Sequence, residues 1–239
     1  MENISYILLS RQKTLRNAVD VVANNIANID TSGFKRESLN FREYVETPRA
    51  RFKYSFVEDI GHFRDHSSGP IRVTGNSLDV AINGDGWFQI QSPQGIRYTR
   101  HGSFQTDLDN RLVTHQGDPV LDEDGLQITI PLDEGPIQIS SDGVISTEFD
   151  TVAKLAVVRF DSNQALNRGP NNLYSTDQAT IPLAKPQVTQ GALEGSNVQA
   201  ISELTKMIGI HRQHDRLTRS IETDYQRQLS AIDRILRVQ

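Results

Sequence analysis

Apolar residues recur at heptad spacing near the start of the chain. The stripe consists of Ile4, Leu8, Leu15, Val19, Val22, Ile26 and Ile29. On a helical wheel these positions share one narrow face, which is typical of a coiled-coil seam rather than of the broad buried face of a globular helix. The pattern predicts an N-terminal amphipathic helix, with Gly33 as its C-terminal cap.

A second helical pattern occupies the end of the chain. Its apolar residues fall on three heptad positions: Leu204, Tyr225 and Ile232; Met207, Ile221 and Ile235; Ile208, Leu229 and Leu236. Ser196 followed by Gln199 matches a capping box, and no proline or glycine except Gly209 occurs from there to Gln239. The pattern predicts one helix of about 40 residues, roughly 60 Å long.

Between these two patterns the period changes to alternation. The stretch LDVAINGDGWFQIQ predicts a hairpin around Asn-Gly-Asp-Gly, SPQG predicts a turn, and short β-like runs follow at intervals of about ten residues. We therefore expect an α+β fold, in which paired long terminal helices, coiled-coil-like, flank an inserted antiparallel β-rich domain. The expected domains are a discontinuous helical domain at 1–34 and 196–239, an extended connecting segment at 35–74, and a β-rich domain at 75–195.

Three asparagines interrupt the end of the first helix. Asn25 borders the apolar stripe, whereas Asn24 and Asn28 lie on the opposite side of the helical wheel. A buried amide costs about 1–3 kcal/mol unless it is hydrogen-bonded, so it fixes the register of whatever packs on it. The pattern indicates a helix contacted on several sides, mostly by other chains. The alternative is a fraying helix end with asparagines as local caps.

Composition and charge exclude several classes of function. The 239 residues include no cysteine, which removes disulfides and thiolate chemistry, and no run of 18 apolar residues that would predict a membrane-spanning helix. The first residues lack the basic and apolar regions of a Sec-type signal peptide. The net charge of −5 is uneven: residues 56–190 carry 9 basic and 18 acidic residues, whereas the two ends are slightly basic.

No pattern of catalytic residues emerges. The acidic pairs Asp107/Asp109, Asp122–Asp124 and Asp133/Glu134 fall in polar turns, where both carboxylates are expected to be solvated. His211, His214 and Asp215 have metal-ligand spacing, but a polar rung that also includes Thr218 is the favoured interpretation. PRARFKYSF mixes basic and aromatic residues, yet the acidic balance of the chain argues against nucleic acid. We predict no catalytic, cofactor-binding or metal-binding residues and no cofactor.

Several motifs carry a family resemblance. SRQKTLRNAVDVVANNIANIDTSGFKRE resembles the N-terminal signature of bacterial flagellar rod and hook proteins. TGNSLDVAINGDGWFQI, YTRHGSF and LVTHQGDPVL are similar to motifs in the middle domain of that family, and QGALEGSNV followed by LTKMI is similar to its C-terminal signature. Asn110 stands where the family usually has glycine, a turn position that asparagine tolerates better than most residues. The start, the length and the short 35–74 segment are most like a proximal-rod member.

The resemblance implies a structural subunit and not an enzyme. Family members leave the cytoplasm through the flagellar type III export apparatus without a cleaved signal peptide and assemble in the periplasm into a helical tube. The terminal helices would pair to form its inner wall, and the β-rich domain would face outward. The implied partners are proximal and distal rod proteins and copies of the chain itself, with no nucleic acid, no small-molecule substrate and no membrane span.

The expected subunit interface combines residues of both helices with the loop after the first. It comprises Leu15, Val19, Val22, Asn24, Asn25, Ile26, Asn28, Ile29, Gly33, Phe34, Leu204, Met207, Ile208, Ile221, Tyr225, Leu229 and Ile232. The alternatives are a distal-rod or hook sibling and, in a different class, a secreted β-rich binding module on a helical stalk. Exposed aromatic residues in a groove would support the binding module, and Trp87 is the one tryptophan available.

Overall fold

A computed structural model describes residues 2–46, 54–131 and 135–236. The fold is α+β, with a helix near each end of the chain and a β-rich middle, as expected from the sequence. The chain forms two compact units. Unit 1 takes its residues from 1–27, 37–64 and 199–239, and unit 2 takes its residues from 28–36 and 65–198. The four-segment division expected from the sequence stays a prediction; the two units are bounded at other residues.

Unit 1 contains both long helices and one hairpin. Helix α1 spans Glu2–Ala27 and helix α2 spans Ala200–Leu236. Strand β1 (Glu37–Glu46) pairs antiparallel with β2 (Tyr54–Arg64), so much of the segment expected to be merely extended is a ladder. Helix α1 contacts α2 and both strands. The two helices run antiparallel, because Leu8 shares a groove with Tyr225 while Asn25 bonds Glu203.

The helix boundaries differ from the expected ones in two places. Helix α1 ends at Ala27, so Gly33 lies in the following loop, six residues further on, and does not cap the helix. Its φ of +69° is nevertheless one that favours glycine. Helix α2 begins at Ala200, and the Ser196 hydroxyl accepts a hydrogen bond from the Val198 N–H over 3.2 Å. The predicted capping box is absent, because the N-cap position directly before Ala200 is Gln199 and not Ser196.

Unit 2 consists of short antiparallel strands. They are β3 (Ile71–Val73), β4 (Val80–Ile82), β5 (Trp87–Ser92), β6 (Gly95–Thr99), β7 (Phe104–Thr106), β8 (Leu112–Thr114), β9 (Gln138–Ile139), β10 (Val144–Ser146), β11 (Thr151–Lys154), β12 (Val157–Arg159), β13 (Asn167–Arg168), β14 (Tyr174–Ser175), β15 (Ile181–Pro182), β16 (Val188–Gln190) and β17 (Ala192–Glu194). The order in the largest sheet is β13-β14-β6-β5-β12-β15, and a three-stranded sheet has the order β11-β10-β9. The remaining pairs are β3–β17, β4–β16 and β7–β8.

The hairpin predicted around Asn-Gly-Asp-Gly is wrong. Strand β4 pairs with β16, and β5 pairs with β6 across the Ser92–Gly95 turn, which the sequence did predict. Gly86 lies between β4 and β5 with φ +151°, and a Cβ added there would be 2.8 Å from Val157 Cγ1. This close approach to β12 lets the chain pass from one sheet to another. Asn110 has φ +62°, which confirms the expected left-handed turn.

The core of unit 2 lies between these sheets. It includes Val80, Ile82, Phe88, Ile90, Phe104, Leu112, Val120, Ile128, Ile130, Ile145, Leu155 and Val157. Trp87 belongs to a second cluster, in which its ring meets that of Tyr174 edge-on at 4.7 Å between centroids. Trp87 and Phe88 are both buried, although alternation along a strand predicts burial for at least one of two neighbours.

Candidate assembly surface

One face of α2 packs on α1 inside unit 1. Its less exposed residues follow one another at alternating steps of four and three positions: Glu203, Met207, Ile210, His214, Leu217, Ile221, Asp224 and Gln228. This is the heptad spacing of a helix that contacts one partner along a narrow stripe. Among the predicted interface residues, Met207 and Ile221 lie on this face and are half-buried.

A second face of α2 carries large apolar side chains that remain in solvent. We call it the apolar stripe, and it consists of Ile201, Leu204, Ile208, Tyr225, Leu229 and Ile232. Their exposure runs from 42% at Leu229 to 82% at Ile201. The stripe forms two exposed apolar patches, at 201–208 and at 225–232, and patches of this kind mark an interaction site or an aggregation liability. Leu204, Ile208, Tyr225, Leu229 and Ile232, all predicted interface residues, therefore lie on a face that unit 1 leaves uncovered.

The apolar stripe continues onto α1 through a groove. Leu8, Leu9 and Gln12 of α1 and Ile221, Tyr225 and Gln228 of α2 are among the residues that line a cavity of about 320 Å³. Leu9 is itself exposed. A second groove, of about 430 Å³, is lined by Leu8, Arg219, Ser220, Thr223, Asp224 and Arg227. The helix pair thus offers two different grooves, one more apolar and one more basic.

The predicted interface residues of α1 lie mostly inside unit 1. Leu15 and Val22 are buried, and Val19 and Ile26 are half-buried. Because α1 packs on α2 and on the β1–β2 hairpin, these side chains stabilise the fold of the subunit itself. Ile29 follows the end of α1 and is half-buried in unit 2.

The three asparagines occupy three different environments. Asn25 is buried, and its amide nitrogen donates to the Glu37 carbonyl over 2.7 Å and to Glu203 Oε2 over 3.1 Å. Its amide oxygen accepts from the Glu37 N–H over 2.9 Å. Asn24 is exposed, and Asn28 accepts a hydrogen bond from the Thr31 hydroxyl in the turn after α1. Asn25 therefore fixes the register of its own chain, joining α1 to β1 and α2.

The loop after α1 is anchored within unit 2 by a buried carboxylate. Glu194 Oε1 accepts from Lys35 Nζ over 2.7 Å and from the Gly69 N–H over 3.0 Å, while Arg100 Nη1 lies 3.2 Å from Oε2. The Glu194 carbonyl accepts from the Gly33 N–H over 2.8 Å. A Cβ on Gly33 would be 2.6 Å from the Arg100 carbonyl carbon, so only glycine fits at this contact. The predicted interface residues Gly33 and Phe34 are both buried here.

Burial sets the electrostatics of this cluster. It lowers the pKa of Lys35, and the Glu194 carboxylate opposes that shift while Arg100 adds to it. Burial likewise lowers the pKa of Arg100, against the attraction of Glu194 and Asp85. The Arg100 guanidinium also donates hydrogen bonds to the carbonyls of Ile82 and Gly84, over 3.4 and 2.5 Å.

The sequence reasoning missed Lys35, Arg100, Glu194 and Glu203 as structural residues. Glu194 had a chemical signal, because it is the one charged residue of QGALEGSNV, whereas Lys35 stands next to Arg36 and Glu37 and had no such signal. Charged side chains are rarely fully buried unless they are paired. Glu203 resembled an ordinary first-turn acid of α2, yet it is buried and accepts from both Asn25 and Lys206.

The other candidate residues are placed as follows. His214 is half-buried, whereas His211 and Asp215 are exposed, and no group of three metal-ligating side chains comes together among the described residues. Asp107 and Asp122 each accept hydrogen bonds from backbone N–H groups of their own turns. Trp87 is 2% exposed, so it cannot line a binding groove. Asp133, Glu134 and residues 48–53 of PRARFKYSF lie outside the described residues.

Known families match three parts of the chain. Residues 6–35 match the family described as flagella basal body rod protein. Residues 81–147 match the flagellar hook protein FlgE/F/G D1 domain, and residues 189–233 match the flagellar basal body rod FlgEFG protein C-terminal family. The chain is 41% identical over 241 residues to the flagellar basal-body rod protein FlgF of Caulobacter vibrioides, which covers 98% of both chains.

The chain belongs to the flagellar basal-body rod protein family. It is 34% identical to the rod protein FlgF of Rhizobium meliloti, over 91% of each chain, and 34% identical to the rod protein FlgG of Buchnera aphidicola from Acyrthosiphon pisum, over 87% of this chain and 90% of that one. It is thus a structural subunit of the flagellar rod in the basal body, and the rod family is not one of enzymes. No helix in the described part of the chain has an apolar span that could cross a bilayer.

Proposed function

We propose that this rod subunit polymerises through α1 and α2, with the apolar stripe of α2 as its principal contact surface. The observation that supports this is the exposure of six large apolar side chains on one helix face that α1 leaves uncovered. Burial of apolar surface contributes about 25 cal/mol per Å², so a stripe of this kind supplies the attraction for a neighbouring subunit.

The contribution of α1 to assembly is mainly indirect. Leu15, Val19, Val22 and Ile26 hold α2 in place, in a coiled-coil-like antiparallel pair that the four-and-three spacing of α2 supports. Asn24 and Leu9 are exposed on α1 and add to the contact surface. Asn25, Gly33 and Phe34 act by fixing the subunit structure on which the contact depends.

Rod family membership supports the remaining parts of the proposal. The subunit passes through the flagellar export apparatus without a cleaved signal peptide, assembles in the periplasmic part of the basal body, and contacts proximal and distal rod proteins as well as copies of itself. The helices form the inner part of the rod and the β-rich domain faces outward. A position in the proximal rod is supported by the similarity to proteins named FlgF.

The experiment replaces exposed leucines by aspartate in a motile host that lacks its own copy of this subunit. Leu204→Asp/Leu229→Asp places two charges on the apolar stripe. Leu108→Asp is the matched control, because Leu108 is fully exposed on unit 2. We expect the double variant to be exported but absent from purified rods, with motility lost, while the control variant is incorporated. Motile cells whose rods contain the double variant at wild-type levels would contradict the proposal.

A further inference from the structure

A third face of α2 carries three arginines in a row. We call Arg212, Arg216 and Arg219 the basic stripe; all three are exposed, and none of them is in an ion pair among the described residues. Their spacing of four and three places them on one side of the helix. Arg219 also lines the groove of about 430 Å³ beside Leu8. Such a row of exposed like charges is complementary to a row of carboxylates on a neighbouring helix.

The same helix provides that acidic surface on a different face. Between Ile208 and Tyr225 the apolar stripe is interrupted by a polar break, of which Asp215 and Glu222 are the acidic members. These two carboxylates are seven residues apart, as are Arg212 and Arg219, so both pairs span about 10.5 Å along the helix axis. The two faces therefore carry charges of opposite sign at the same spacing.

The sizes of the flanking residues match as well. On the N-terminal side of the basic stripe its face carries the small residues Thr205 and Gly209, and on the other side it carries Thr223, Gln226 and Ser230. A Cβ added to Gly209 would meet nothing within 4 Å. Glycine is among the residues that destabilise a helix interior most, and packing within unit 1 does not account for its presence at this position. Large residues of the apolar stripe fit against such a low surface.

We propose that the apolar stripe and polar break of one copy dock on the basic stripe of a second copy of this chain. The inference rests on the proposed polymerisation and names the partner surface for it. Because the two faces are different and lie on one helix, the contact is heterologous and repeats as an open helical filament rather than closing as a symmetric dimer. Apolar burial supplies the attraction, and the charge pairs select the register.

The test uses charge reversal in the purified full-length chain, with self-association followed by sedimentation at low salt. Variant A carries Arg212→Glu and Arg219→Glu, and variant B carries Asp215→Arg and Glu222→Arg. In a sample of either variant alone, like charges lie opposite each other at the contact, so we expect self-association at least about tenfold weaker than that of wild type. Arg159→Glu/Lys185→Glu is the matched control, because both residues are exposed on unit 2, and it should associate as wild type.

Mixing A with B decides between a direct contact and a general charge effect. In the mixture the acidic residues at 212 and 219 of variant A face the arginines at 215 and 222 of variant B. The mixture should therefore regain association to within about threefold of wild type, and raising the salt concentration should weaken that association. Failure of the mixture to associate, or a wild-type chain that stays monomeric at low salt, overturns the inference. Neither result contradicts the proposed function, which is tested separately by whether the Leu204→Asp/Leu229→Asp variant is incorporated into rods.

Gly209 provides an independent check on the same contact. Gly209→Leu should leave the helix signal of the monomer unchanged or increased, because leucine favours helix and the site is open. Self-association should nevertheless weaken at least about tenfold, since the added side chain holds the second helix away. Wild-type association of Gly209→Leu would contradict the placement of the apolar stripe against this face.

Discussion

Lys35 and Glu194 form a salt bridge of 2.7 Å in which each side chain is 1% exposed, although 159 positions separate them in the chain. The pair closes unit 2 by tying the loop after α1 to strand β17. Removal of one partner from a buried ion pair leaves an uncompensated charge, which is far more costly than the loss of the attraction alone.

Glu194→Met should destabilise unit 2 by about 3 kcal/mol, because Lys35 and Arg100 would both remain buried without the carboxylate that they share. The measurement is urea unfolding followed by the fluorescence of Trp87, the single tryptophan, which is buried in unit 2. Arg72→Met is the control: it breaks the exposed pair with Asp30 and should cost less than about 1 kcal/mol. Equal losses in the two variants would show that burial of the Lys35 pair is unimportant.

Gly33→Ala should destabilise unit 2 more than Gly75→Ala. Both glycines have positive φ, +69° and +78°, so both substitutions incur a left-handed strain of about 1–2 kcal/mol. Only at Gly33 does the new Cβ also collide with backbone, at 2.6 Å from Arg100, whereas Gly75 has open space. Urea unfolding of the two variants separates strain from collision, and a smaller loss at Gly33 would refute the close contact.

Asn25→Ala should lower the stability of unit 1 by about 2–3 kcal/mol, since it removes three hydrogen bonds and leaves buried Glu203 with fewer donors. Both long helices belong to unit 1, so the ellipticity at 222 nm during urea unfolding is the measurement. Lys13→Ala is the matched control on the exposed side of α1 and should change stability by less than about 0.5 kcal/mol. The assignment fails if the two alanine variants unfold at the same urea concentration.

Acidification should weaken unit 2 through His101. Burial lowers the pKa of His101, the neighbouring His115 lowers it further, and Asp79 opposes the shift. The unfolded chain, with a histidine pKa near 6.5, then binds more protons than the folded one, so stability falls as the pH drops from about 6.5 towards the folded pKa. His101→Gln should lose less stability than wild type between pH 7 and 5, measured by Trp87 fluorescence. Parallel losses would assign the acid sensitivity to other groups.

The periodic parts of the fold could be predicted from the sequence, and the long-range pairings could not. The heptad spacing of Leu15 and Val22 was sufficient to predict α1, because helix periodicity is local. The alternation around Val80 predicted a strand but not its partner: β4 pairs with β16, more than 100 residues later, and no local signal encodes that choice. The same limit applies to Lys35, whose role depends on a carboxylate far along the chain.

The candidate surface shows a related division. Periodicity placed Leu204 and Leu229 on apolar faces of a helix. It could not distinguish the heptad position that faces α1 from the positions that remain exposed, because three heptad positions of α2 are apolar. The asparagines were expected to contact other chains, whereas Asn25 bonds within its own. A buried amide in the sequence indicates that the alignment of two packed segments is fixed. The structure is needed to show whether those segments belong to one chain or to two.

The order of segments along the chain has a consequence for how the subunit acquires its structure. Unit 2 needs Glu194 to meet Lys35, and unit 1 needs α2 to meet α1, so each is completed by a segment from the last quarter of the sequence. Contacts of such sequence separation form slowly, because the intervening loop must close first. During synthesis, which starts at the N-terminus, α1 therefore has no partner helix until the last quarter of the chain has been made. The subunit acquires both of its units only near the end of its own synthesis.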